Sequence, residues 1–204
     1  MKLLVTGYPP FDAFPLNSTH QLIESMKADL PRELTGSRAS IAFEIVDFDN
    51  TDSASQQTTM LESYRRVMTL HRPDICLFCG QAAARSLVTL ETIAINIFKG
   101  AIIDPEGPAA YWATLPRQEK LVESLRKADI PAKLSYHAGT HLCNHILYTA
   151  LREAEQTGSD VRAGFMHLPM TATQVIACDE NRPFVPLEMT RRALTMVIQQ
   201  LLSS

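Results

Sequence analysis

The stretch Asp74-Ile75-Cys76-Leu77-Phe78-Cys79-Gly80 (DICLFCG) decides the fold. Five apolar residues follow one another without the polar alternation of a strand that faces water on one side. Continuous apolar character is what a strand needs when helices cover both faces of its sheet. Working outward, a helix is expected at about 54–70 and a strand around 40–47 before it. At the start of the chain KLLVT (2–6) reads as a buried strand that ends at Gly7, followed by the loop YPPFDAFPLN. Asn17 or Ser18 can cap a helix running from about Ser18 to Ala28. Beyond DICLFCG, LVTLETIAINI (87–97) reads as a further strand, or as two strands broken near Thr89. A helix at about 116–128, a short strand near 132–136, a helix from Asn144 to Glu155, the strand GFMHLPM and a closing helix from Leu187 to Leu202 complete the pattern. Strands and helices alternating in this way indicate an α/β fold, a single domain over 1–204 with a mostly parallel central sheet and helices on both faces. Ligands of such sheets bind at the carboxyl ends of the strands.

The 204 residues are 46% hydrophobic and 20% charged, enough to bury a substantial core in one domain. A net charge of −3 and a pI of about 6.1 advertise no basic face, so neither nucleic acid nor an anionic membrane surface is an expected partner. The opening MKLLVTGYPPF is too short in apolar residues for a signal segment, and no run approaches the ~20 needed to span a bilayer. A cytoplasmic protein with reduced thiols is expected.

Four cysteines in a chain of this length do not make a disulfide framework. Cys76 and Cys79 form a CxxC, but no second pair or spaced histidines accompany it, and they read as small apolar residues of a buried strand. Cys178, in VIACDENRPF, reads as a packed thiol. Cys143, in AGTHLCNHILYTAL, stands where an extended stretch gives way to a helix. Unpaired N–H groups and the positive end of the helix dipole favour a thiolate there. His167, in GFMHLP after a later apolar run, is a candidate base.

Five ordered blocks resemble the pyroglutamyl peptidases, cysteine peptidases of the C15 type: KLLVTGYPPF, GQAAARSLVTLETIAIN, GPAAYWATLP, AGTHLCNHILY and AGFMHLP. The resemblance runs along nearly the whole chain and implies a phosphorylase/hydrolase-like α/β fold. It implies Cys143 as the nucleophile, His167 as the acid and base, and Glu91 as the residue that orients His167. The implied reaction is removal of N-terminal pyroglutamate from peptides, with no metal or organic cofactor. A carboxylate within the apolar run around Glu91 needs a partner such as His167 or Arg85, because an unpaired buried charge costs several kcal/mol. A homo-oligomer, dimer or tetramer, is implied as well; the resemblance names no interface, and the apolar stretch PFVPLEM and the loop near Phe14 are candidate contacts read from the sequence. His20, His71, His137 and His145 read as surface or structural residues.

For the pyroglutamyl ring the resemblance implies aromatic walls and polar readers. Tyr8 and Phe11 stand at the opening-loop positions, Asn17 and Gln81 at polar positions near the pocket, and His141 in place of a second aromatic. An imidazole stacks on a flat ring and takes a proton in mildly acid conditions. Three further departures stand out. Ala101 replaces an arginine whose charge Lys99 or Arg85 would have to supply. Gly107 runs straight into Pro108 where relatives carry a longer loop. Ala82, Ala83 and Ala84 replace glycines, which restricts φ beside Gln81. These departures keep open a thiol hydrolase of the same fold acting on another small amide, and a non-catalytic ligand-binding homologue.

Overall fold

The computed structural model describes residues 1–11, 14–36, 39–179 and 181–203, so Asp12 and Ala13 of the opening loop lie outside the described residues. Strand β1, Lys2–Gly7, is followed by α1, Ser18–Ala28; β2, Ser40–Ile45, by α2, Ser53–His71; and then comes β3, Ile75–Gln81, buried at every position. A run of short strands follows: β4 (Val88–Glu91), β5 (Ile93–Ile95), β6 (Ile97–Phe98), β7 (Ala101–Ile102) and β8 (Ala110–Trp112). Helix α3 (Gln118–Lys127), β9 (Ala132–Ser135), α4 (Leu142–Thr157), β10 (Arg162–Leu168), α5 (Ala172–Cys178) and α6 (Leu187–Leu202) complete the order.

The central sheet has the order β2-β1-β3-β10-β4-β9. The first four strands are parallel neighbours, β4 runs antiparallel to β10, and β9 is parallel to β4. The chain leaves β1 on one side for β2 and returns on the other for β3, which places a topological switch point at the carboxyl ends of β1 and β3.

Two apolar clusters cover the two faces. One joins Leu77 and Cys79 of β3 to Leu22 and Met26 of α1, Leu125 of α3 and Leu194 and Val197 of α6. The other joins Cys76 and Phe78 to Met60 and Tyr64 of α2 and Ile146 and Leu147 of α4. The period of two in β3 therefore sends the two cysteines of the CxxC to opposite faces, each as a packed thiol. The 87–97 segment breaks at Thr92 rather than near Thr89, and again at Asn96, into β4, β5 and the start of β6. Glu91 keeps its place in the sheet opposite Phe165, and Ile93 turns away to pair with Trp112.

Local signals set the helix ends. The Asn17 side chain accepts hydrogen bonds from the N–H groups of Thr19 and His20, and Asp52 does the same for Ala54 and Ser55; each such cap is worth about 1 kcal/mol. Gly158, with φ 63°, closes α4 in the left-handed conformation that glycine takes at least cost. At Gly7 a side chain would meet Ile23 and the Thr19 carbonyl at 2.9 Å, so the close approach of β1 to α1 requires glycine.

Candidate active site

The carboxyl ends of β1, β3 and β10 converge with one helix start. Tyr8 follows β1, Gln81 ends β3, His167 is the penultimate residue of β10, and Cys143 occupies the first turn of α4. Because β3 and β10 are in register, His167 pairs with Gly80. The missing side chain of Gly80 leaves room for the Cys143 thiol: a Cβ there would lie 2.8 Å from Cys143 Sγ and 2.6 Å from Phe165 Cζ. His167 lies on the same face of β10 as Phe165, and their ring centroids are 4.7 Å apart.

Glu91 is fully buried and lies 2.8 Å from His167 Nδ1 through Oε1. The Arg85 guanidinium pairs with the same oxygen and with Thr89, and its other arm donates to the His137 carbonyl at 3.2 Å. Thr89 Oγ1 donates to Glu91 at 3.1 Å. Both partners expected of a buried carboxylate are thus present. Burial pushes the Glu91 carboxyl up, but the contacts with His167, Ser135 and Arg85 outweigh it and hold the pKa at about 2. An ionised Glu91 only accepts, so His167 Nδ1 carries its proton and Nε2 is left with a lone pair. Burial lowers the pKa of His167 itself and Arg85 adds to that, while Glu91 pulls the other way.

The thiol departs from expectation. Burial, with the nearby Glu91 charge, pushes Cys143 up to about 12, against the lowering from its own backbone N–H and from Arg85. The helix start acts as predicted, but the apolar surroundings cost the thiolate more than it returns. Cys143 therefore rests as the thiol and His167 as the neutral imidazole.

A cavity of ≈ 190 Å³ opens at Cys143, with walls that include Tyr8, Phe11, Phe48, Gln81 and His141. Four of the five residues expected to contact substrate are brought together there. Phe48 was not anticipated; it packs between Tyr8 and Phe11, with ring centroids 5.9 and 6.2 Å away. Tyr8 is buried, its backbone N–H bonded to Thr19, and burial lifts its phenol well above the usual range, so it stays neutral. The fifth residue, Asn17, does not line this cavity: its Oδ1 caps α1 and its Nδ2 is buried without a partner among the described residues.

Lys99 reaches the cavity wall, where its ammonium donates to Ser53 and Gln56 at 3.0 and 2.8 Å. Ala101 sits exposed on the β6–β7 hairpin. Arg85 is committed to Glu91, which leaves Lys99 as the cation of the cavity lining among the described residues. None of Ala82, Ala83 and Ala84 takes a positive φ, and the Ala82 N–H bonds to the Leu168 carbonyl, so the turn after Gln81 forms without glycine. Asn144 was also not anticipated. Its side chain bonds the Ile95 N–H and carbonyl and the Ile97 carbonyl, at 2.8, 2.8 and 2.9 Å, and so ties the strand segment before Lys99 to the helix of Cys143. Only its position next to the candidate nucleophile could have marked it in the sequence.

The chain matches the family described as pyroglutamyl peptidase over residues 1–204. It is 35% identical over 211 residues to the pyrrolidone-carboxylate peptidase of Thermococcus kodakarensis, covering 98% of this chain and 95% of that one. Identity to the pyrrolidone-carboxylate peptidase of Bacillus subtilis is 30% over 207 residues, with 95% and 88% covered. Among solved structures it superposes on pyroglutamyl peptidase I from Bacillus amyloliquefaciens with a TM-score of 0.84 at 30% identity, covering 100% of this chain and 97% of that one. The pyrrolidone carboxyl peptidase from Thermococcus litoralis gives a TM-score of 0.85 at 28% identity, with 99% and 93% covered. A family match over the full length, with relatives at this identity and coverage, means that the chain belongs to the pyroglutamyl peptidase family.

Proposed function

We propose that the protein is a cysteine exopeptidase that removes N-terminal pyroglutamate from peptides, with Cys143 as nucleophile, His167 as acid and base, and Glu91 holding His167. The observation that carries these roles is the alignment of a buried, ionised Glu91 on Nδ1 of a neutral histidine whose strand partner, Gly80, makes room for the thiol.

A resting thiol at about 12 means that its proton moves to His167 Nε2 as the sulfur attacks. The new S–C bond places negative charge on the former carbonyl oxygen, and N–H groups at the start of α4 are the available donors. His167 then gives the proton to the leaving amine as the C–N bond breaks, and free peptide departs. Water attacks the thioester with His167 accepting its proton, the S–C bond breaks, and the proton returns to sulfur. Glu91 fixes the tautomer and stabilises the imidazolium at each transfer. Tyr8, Phe11, Phe48 and His141 supply flat faces for the lactam ring, and Gln81 its polar reader.

We assign the whole chain, 1–204, to this one catalytic domain, on the strength of the family match across it. No described helix is long and apolar enough to cross a membrane. Four free cysteines, one of them the nucleophile, suit a reducing compartment, and we place the protein in the cytoplasm. Homo-oligomerisation rests on the resemblance and is read by sedimentation.

A panel of fluorogenic amides tests the substrate class. Pyroglutamyl amide is cleaved, and prolyl and acetyl-alanyl amides are cleaved at least ~100-fold less well, because a site built for a polar ring group rejects an acyl group lacking it. Equal rates across the panel would sink the pyroglutamyl assignment and favour a broader thiol hydrolase.

A further inference from the structure

Gln81 lines the cavity beside Cys143, yet its two amide ends are in different situations. Its Oε1 is doubly engaged, accepting from the Ser18 N–H at 2.9 Å and from Gln174 Nε2 at 2.6 Å. Its Nε2 is buried and has no partner among the described residues. A buried amide N–H left unmatched is unfavourable, and natural structures keep such groups rare. Asn17 Nδ2, one residue from Ser18, is in the same state.

The orientation of the Gln81 amide is dictated from behind. Gln174 is fully buried, and its own amide is held by two backbone groups of fixed character. The Thr171 N–H, which can only donate, meets Gln174 Oε1 at 2.9 Å; the Leu16 carbonyl, which can only accept, meets Nε2 at 2.7 Å. Gln174 can therefore offer Gln81 nothing but an N–H, and Ser18 offers a second. Turning the Gln81 amide round would set donor against donor twice. The polarity fixed at Thr171 and Leu16 thus passes through two glutamines and ends as an uncommitted NH₂ group on a residue of the cavity wall.

We propose that Gln174 is a positioning residue for substrate selection: it fixes the Gln81 amide so that its NH₂ group is kept for an acceptor on the acyl group, the lactam carbonyl of pyroglutamate. This rests on the function proposed above and deepens it, since a prolyl ring has no such carbonyl. Gln174 touches no substrate and acts only through Gln81.

The test is a double-mutant cycle on pyroglutamyl amide hydrolysis. In Gln174→Glu, the carboxylate keeps the bond from Thr171 but opposes Gln81 Oε1 while Ser18 still donates to it, so the Gln81 amide is no longer held in one orientation and its NH₂ group is no longer kept for the lactam. KM rises ~10–100-fold, the range for leaving a buried polar group mispaired. Alkylation of Cys143 by iodoacetamide without substrate keeps the wild-type rate, which separates positioning from loss of fold. In a Gln81→Leu background the same substitution changes KM less than about twofold, because the residue it acts through is gone. Gln174→Met, which removes the donor without adding charge, shifts KM in the same direction and serves if the glutamate variant does not fold. A KM for both Gln174 variants within twofold of wild type, or an equal loss in the Gln81→Leu background, overturns the inference. Wild type without any turnover contradicts the proposed function instead. The inference is then read from protection of Cys143 against alkylation by 2-pyrrolidinone: protection in wild type and none in Gln174→Glu supports it, and equal behaviour of the two overturns it.

Discussion

Glu91 Oε1 lies 2.8 Å from His167 Nδ1, and the two residues sit on neighbouring antiparallel strands one diagonal step apart, His167 opposite Thr89 and Glu91 opposite Phe165. On one face of such a ladder diagonal neighbours are within reach of long side chains. The sheet register therefore holds the histidine, which a flexible loop would not. The Arg85 guanidinium, bonded to the same carboxylate oxygen, adds to the pull of His167 and Ser135 that keeps Glu91 charged.

Glu91→Gln keeps the shape and removes the charge. The amide either presents its NH₂ to Nδ1 or loses the imidazolium stabilisation, and both disable His167 as a base. Activity on pyroglutamyl amide should fall roughly 10³–10⁴-fold in kcat, the scale seen when the acid of a triad is neutralised. Arg85 is part exposed and can hydrate, so the fold should persist. Steady-state kinetics with circular dichroism checks both halves.

Acid should act on activity and stability at different points. His167 has a folded pKa below its ordinary 6.5. The neutral imidazole needed to take the thiol proton is therefore present at neutral pH and lost only below 6.5, which puts the acid limb of kcat/KM under that value. Glu91 is held at about 2 against an ordinary 4.5, so its contribution to stability is present above 4.5 and fades as pH falls from 4.5 towards 2. Its size is on the order of 3 kcal/mol by linkage. Denaturant melts of wild type and Glu91→Gln between pH 7 and 3 should converge as pH falls; parallel curves would contradict the assignment.

Gly80→Ala should damage the site more than the fold. The added methyl would meet Phe165 Cζ at 2.6 Å and Cys143 Sγ at 2.8 Å, so one of them must move. Overpacking of this kind costs about 1–3 kcal/mol. Displacing the thiol by a fraction of an ångström should cost at least ~10-fold in kcat. A thermal melt beside turnover numbers distinguishes this from simple unfolding.

Asn144→Ala removes three hydrogen bonds to the backbone of Ile95 and Ile97. With those backbone groups unsatisfied, the loss should be about 2–4 kcal/mol. Hydrogen exchange should quicken first at Ile95, whose N–H loses its acceptor.

Much of this was legible in the chain. The apolar run around Phe78 gave a strand buried on both faces, and Asn17 marked the start of α1, because both depend on neighbours close in sequence. The β6–β7 hairpin, β8 and α5 were not foreseen: they are two to seven residues long, and pairings such as Ile93 with Trp112 depend on distant contacts. The same division runs through the site. Cys143 could be picked from its position before a helix, whereas Phe48, Lys99, Asn144 and Gln174 gain their roles from where other segments bring them. The helix start also misled about the thiol, because burial is a property of the packed molecule.

The most direct measurement is kcat/KM for a fluorogenic pyroglutamyl amide with wild type and Cys143→Ala, purified side by side and assayed from pH 5 to 9. The account predicts turnover by wild type, falling on the acid side below 6.5, and none above background in the variant. Turnover that survives in Cys143→Ala, or a wild type inert toward this amide while its thiol alkylates normally, would contradict it.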